Sequence, residues 1–179
     1  MLGFGAGRAL AYLVAGWLGL LCVASISSMM PAPRLWFPFL APNLALLVVL
    51  FVGLSGRATF AGVVVIACAL GYLGDLVSGA PKGVHMSAFA LVAMAVRASQ
   101  RVLVRGALAT AIVAGTFTGL CGLLVIGLRA AVGLGVGFGL LRRVPYEALS
   151  TALVAPLAFR GLGRLERLLS REVRALPAR

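Results

Sequence analysis

Long apolar blocks alternate with short polar connections along this chain, and the blocks fall at residues 9–29, 35–54, 58–77, 84–96, 106–128 and 145–159. A backbone surrounded by lipid must satisfy its own hydrogen bonds. The period-2 alternation with turn residues that a barrel needs is absent, so each block is read as a helix. About 20 apolar residues cross the roughly 30 Å hydrocarbon core, and 179 residues hold six such spans with short connections in one membrane domain covering residues 1–179. The apolar, glycine-rich run at 130–141 is a candidate seventh, but 12 residues reach only about 18 Å as a helix. It is expected to extend the fifth helix or lie on the outer surface, and the placement of residues 130–144 is left open.

Composition strengthens this picture. Hydrophobic residues make up 62% of the chain and charged residues 11%, against roughly 45–50% and 25% in soluble domains. The expected fold class is all-α, a polytopic integral membrane protein with six transmembrane helices.

The basic residues set the orientation. With the amino terminus in the cytoplasm, the inner side receives Arg8, Arg57, Arg97, Arg101, Arg105, Arg160, Arg164, Arg167, Arg171, Arg174 and Arg179. The outer side receives Arg34, Lys82, Arg129, Arg142 and Arg143. An excess of eleven over five puts both termini inside, and a seventh span would move the six-Arg tail outside. A secretory signal is disfavoured because the first apolar run is longer than a typical signal core and further spans follow it.

The net charge of +12 does not indicate nucleic acid, since the basic residues sit in connections without an interleaved aromatic platform. Residues 160–176 are different. Leu162, Leu165, Leu169, Val173 and Leu176 fall on one helical face, and Arg160, Arg164, Arg167, Arg171 and Arg174 on the other. Such a tail suits anionic membrane lipid, each Arg gaining about 1 kcal/mol near the surface, or a cytoplasmic partner.

Several residue types carry no chemistry. Cys22, Cys68 and Cys121 lie alone in different spans, without metal-ligand spacing or a disulfide framework. The alternate glycines of Gly133 to Gly139 lack dinucleotide-binding spacing and no strand precedes them. No metal or cofactor is expected. Gly115 with Gly119, and Ala11 with Ala15, are small-xxx-small pairs that permit close helix contact; whether any serves a homodimer is undecided.

Asp75 is the only acidic residue in the first 146 positions and sits near the end of an apolar span. A carboxylate at a helix centre in lipid costs about 2.5–3.5 kcal/mol, whereas each large apolar residue contributes only about 0.3–0.6. Asp75 must therefore lie at the membrane edge, face other helices or be paired, with His85 and Lys82 as candidate partners. An ion pair or helix cap fixing the hairpin between the third and fourth spans is preferred to catalysis, for which Ser78 or Ser87 alone is a thin basis. An intramembrane proton or ligand site is the further alternative.

Residues 71–85, in the form Gly-x-x-x-Asp-Leu-x-Ser-Gly-x-Pro-x-Gly-x-His, resemble the signature region of the MreD family of rod shape-determining proteins. Ala41-Pro42-Asn43-Leu44 is similar to that family's opening of its second helix, and Pro156 followed by Arg160 and a basic tail also fits. Lys82, where an apolar residue is usual, and the glycine-rich stretch after the fifth span depart from the pattern. The resemblance implies a non-enzymatic scaffold of the bacterial cell-elongation complex in the cytoplasmic (inner) membrane. Its implied fold is similar to the six-helix substrate-binding subunits of energy-coupling-factor vitamin transporters. Its implied partner is the single-span protein MreC, and through it MreB inside and RodA with its transpeptidase outside, coupling to peptidoglycan synthesis. The implied site residues are Pro42, Asn43, Asp75, Ser78, Gly79, Pro81, Gly83 and His85; periodicity adds Arg164, Arg167, Arg171 and Arg174. The competing function is small-molecule capture by a vitamin-type carrier, because short spans can border a cavity. Against it, few polar side chains beyond Asn43, Asp75 and His85 are expected to point into the bundle.

Overall fold

The computed structural model describes residues 6–29, 41–56, 58–99, 106–135 and 137–175, with only the backbone described for residues 6, 26–29, 169 and 171–175. Among the described residues there are six helices and no strand: α1 (Ala6–Met29), α2 (Leu44–Ser55), α3 (Phe60–Ser78), α4 (Val84–Ser99), α5 (Ala107–Ala131) and α6 (Phe138–Ala175). Three segments, Gly7–Ser25, Phe60–Ser78 and Ala107–Ala131, are long and apolar enough to cross a membrane; Leu44–Ser55 and Val84–Ser99 are shorter apolar helices. Large apolar side chains face outward along α5 and α6, among them Leu108, Ile112, Leu153 and Leu157. An outer surface of this kind matches hydrocarbon, not water.

The shortest helix is the innermost. Every residue from Ala45 to Leu50 is buried, and α2 packs against all five other helices. With 12 residues it spans about 18 Å; Asn43 caps its partly buried start, and Gly56, exposed, closes its other end. Tyr12, Phe51 and Phe159 tie α1, α2 and α6 together through ring contacts at 6.0 and 5.4 Å.

Small residues let the outer helices approach one another. An added Cβ at Gly115 would stand 3.1 Å from Ala152 Cβ, and one at Gly122 would stand 2.9 Å from Val144. The Gly115–Gly119 face of α5 is thus occupied by α6 of the same molecule.

The helix limits revise two expectations and meet a third in part. The second helix starts at Leu44, not within 35–40, because Pro42 and Asn43 are non-helical and Asn43 caps it; residues 35–40 lie outside the described part. Residues 130–131 extend α5, in line with one of the two placements expected for the glycine-rich run, while 132–135 turn and 138–141 already belong to α6. The sixth span and the basic tail form one helix of 38 residues containing Pro145 and Pro156. At about 57 Å, it runs well beyond the roughly 30 Å core.

Candidate functional site

The sequence block 71–85 folds into a tight α3–α4 hairpin whose centre is Asp75. Its carboxylate is buried, at 1% exposure, yet every contact it makes is with a donor. Oδ1 accepts from the His85 backbone N–H at 2.8 Å and lies 2.8 Å from His85 Nδ1; Oδ2 accepts from Gly83 N–H at 2.8 Å and Met86 N–H at 3.4 Å. These are the free N–H groups at the start of α4, which has no intrahelical acceptor for them. The remaining one, on Val84, donates to Pro81 O at 3.3 Å, and Ser87 Oγ donates to Gly83 O at 2.6 Å. A side chain on α3 therefore caps α4, and the positive end of the α4 dipole faces a negative group. A carboxylate only accepts, so the hydrogen between Asp75 and His85 is assigned to Nδ1. The helix cap anticipated for Asp75 is present, joined by a side-chain hydrogen bond to His85; Lys82 is exposed.

Each remaining motif residue has a geometric use here. Gly71, one turn before Asp75, faces the α4 backbone so closely that a Cβ would stand 2.5 Å from Met86 Cα and 2.7 Å from His85 O. Gly74, on the same face, is not crowded in this way: an added Cβ would stand 3.7 Å from His85 Cβ, an ordinary contact. Gly79 closes α3 at φ 64° and Gly83 precedes α4 at φ 102°, left-handed values that favour glycine. Pro81 lies in the turn between them, and Ser78 ends α3.

Asn43 does for α2 what Asp75 does for α4. Its Oδ1 accepts from Leu46 N–H at 3.0 Å, its Nδ2 donates to Glu147 Oε1 at 3.0 Å, and its backbone N–H donates to Thr151 Oγ1 at 2.9 Å. Glu147 is also approached by Arg143 Nε at 3.8 Å from Oε2, one turn earlier on α6. Sequence reading missed Glu147, although the signal was available: it lies inside the apolar block 145–159, where the same lipid cost that singled out Asp75 applies.

The two caps meet at a cavity of ≈ 490 Å³ between the apolar wall of α1 and the starts of α2, α4 and α6. A second cavity of ≈ 240 Å³ adjoins it toward α5, and Asn43, Ser78, His85, Arg143 and Glu147 border both. More polar groups converge than the sequence led one to expect: Glu147, Arg143, Arg129 and Thr118 join Asn43 and His85. Among the described residues no group of three His, Cys, Asp or Glu side chains assembles into a metal-binding set.

The structure brings Pro42, Asn43, Asp75, Ser78, Gly79, Pro81, Gly83 and His85 to one end of the bundle. Arg164 and Arg167 are exposed on α6, more than 20 residues and therefore upward of about 30 Å along the helix from Arg143. Leu162 and Leu165 on the opposite face are half-buried. Arg171 and Arg174 continue the helix with only their backbone described, and Leu176 lies outside the described residues.

No curated protein and no solved structure matches the chain significantly. The family model for rod shape-determining protein MreD matches residues 9–160. That interval contains the starts of α2 to α6, most of α1 and both capped helix openings, and the chain belongs to the MreD family of rod shape-determining proteins.

Proposed function

We propose that this membrane protein serves rod shape determination as a non-enzymatic scaffold subunit of the cell-elongation complex. In this reading all six helices span the bacterial inner membrane with both termini cytoplasmic, so the Asn43–Asp75 end faces outward. The bundle holds a single-span MreC-like partner, which links it to MreB inside and to RodA and its transpeptidase outside, and thereby to peptidoglycan synthesis. A six-helix likeness to the substrate-binding subunits of energy-coupling-factor transporters belongs to the same proposal.

The observation that carries it is how the signature residues are used. Asp75 spends both oxygens on the start of α4 and on His85, and Asn43 spends its amide on the start of α2 and on Glu147. Groups engaged in this way shape the bundle and present no nucleophile with an adjacent base. Depleting the protein in its host should turn rods into rounded cells, and supplying Asp75→Leu in its place should fail to restore them. Rods that persist through depletion would contradict the proposal.

The ≈ 490 Å³ cavity favours a second reading, capture of a small molecule for transport. A carrier would co-purify with an ATPase module and a stoichiometric vitamin; a scaffold would not.

A further inference from the structure

Both adjoining cavities combine apolar walls with the polar groups they share. The larger has an apolar wall built from α1, including Leu20, Val23 and Ala24. The smaller reaches Arg129 at the end of α5. Arg129 Nε is shut off from solvent and has no hydrogen-bond partner among the described residues. A guanidinium N–H left without an acceptor in such a place costs more than a neutral donor would, so an acceptor is missing from the inventory of side chains. Glu147 does not supply it, because its oxygens face Asn43 and Arg143. Asp75 does not either, being enclosed by α4 and His85. Counting Arg129 and Arg143 against Glu147 leaves one positive charge at the junction uncompensated.

We propose that the joined cavities bind a phosphate-bearing amphiphile, its anionic group held by Arg129 and Arg143 and its chains laid along the α1 wall. Guanidinium forks match phosphate oxygens in geometry as well as charge. The apolar lobe gives the same molecule a place for hydrocarbon, and Asn43 and Ser78 at the junction offer hydrogen bonds to neutral polar atoms beside the phosphate. This inference does not depend on the scaffold reading and concerns a resident ligand.

The test uses the full-length protein, stripped of lipid in a neutral detergent, with binding followed as a rise in melting midpoint. Phosphatidylglycerol, diacylglycerol with the same chains, and inorganic phosphate are titrated separately. Phosphatidylglycerol is expected to stabilise the protein and diacylglycerol to leave it unchanged. Arg129→Gln should weaken phosphatidylglycerol binding by about tenfold or more, and Ala24→Trp, which fills the apolar lobe, should weaken it similarly. Arg8→Gln, an equal loss of charge near the start of α1 and outside both cavities, should have no effect. If inorganic phosphate alone binds in an Arg129-dependent manner and Ala24→Trp is silent, the phosphate comes from a soluble ligand and the anion site stands. Equal weakening by Arg129→Gln and Arg8→Gln, or no response to either phosphate source, overturns the proposal.

Discussion

At the scale of single residues, one carboxylate determines the geometry of the α3–α4 hairpin. Asp75 satisfies three backbone N–H groups and the His85 ring at once, so removing it exposes several unmet donors in a place with little water. Asp75→Leu should lower stability by at least about 2 kcal/mol, the upper end for a lost cap, read as a fall in melting midpoint in detergent. Asp75→Asn, which keeps an acceptor oxygen, should fall between. Gly71→Ala is a test of close approach: with Met86 Cα 2.5 Å from the added atom, the helices must separate, at about 1–3 kcal/mol. Gly127→Ala, on α5 with open space around it, should be neutral in the same assay. An equal response at both glycines would show that contact with α4 is not what requires Gly71. The Asp75 constellation was legible in the sequence because an acidic residue in an apolar block must be explained and only His85 and Lys82 stood near it. The choice between those two needed coordinates, since it depends on where the turn aims each side chain.

At the scale of elements, the bundle is organised around a helix too short to cross the bilayer on its own. α2 is enclosed by five neighbours, and its opening is fixed by Asn43, Glu147 and Thr151 across more than a hundred residues of sequence. Asn43→Ala removes the cap and frees one Glu147 oxygen; a loss of about 1–2 kcal/mol in unfolding free energy is expected, and an unchanged midpoint would show that α6 does not hold α2. Helix existence was readable from the apolar blocks, because lipid leaves the backbone few alternatives. The start of α2 was legible only in part: the apolar run continues upstream of Pro42, whereas the resemblance at Pro42 and Asn43 pointed to the opening that the Asn43 cap fixes. The contact between Asn43 and Glu147 was hidden, since no local pattern pairs residues on α2 and α6.

At the scale of the whole molecule, charge and fold act on different ends. The capped openings of α2 and α4 and the cavities gather at one end, while α6 carries Arg160, Arg164 and Arg167 to the far side. In the proposed topology, deleting residues 164–179 reduces the inner Lys and Arg count from eleven to six, against five outside. A topology held by so small a margin should become mixed: part of a reporter fused after residue 163 should be found outside, and a reporter that stays wholly cytoplasmic would show that the tail does not set orientation. The central claim is that the bundle grips another membrane helix instead of performing a reaction or carrying a cargo. Gentle purification from native membranes, with quantitative identification of bound proteins and small molecules, tests it most directly. A single-span partner recovered in stoichiometric amount with the wild-type protein, and lost with Asp75→Leu, is the predicted result; recovery of an ATPase module with a stoichiometric vitamin, and no single-span partner, would contradict it.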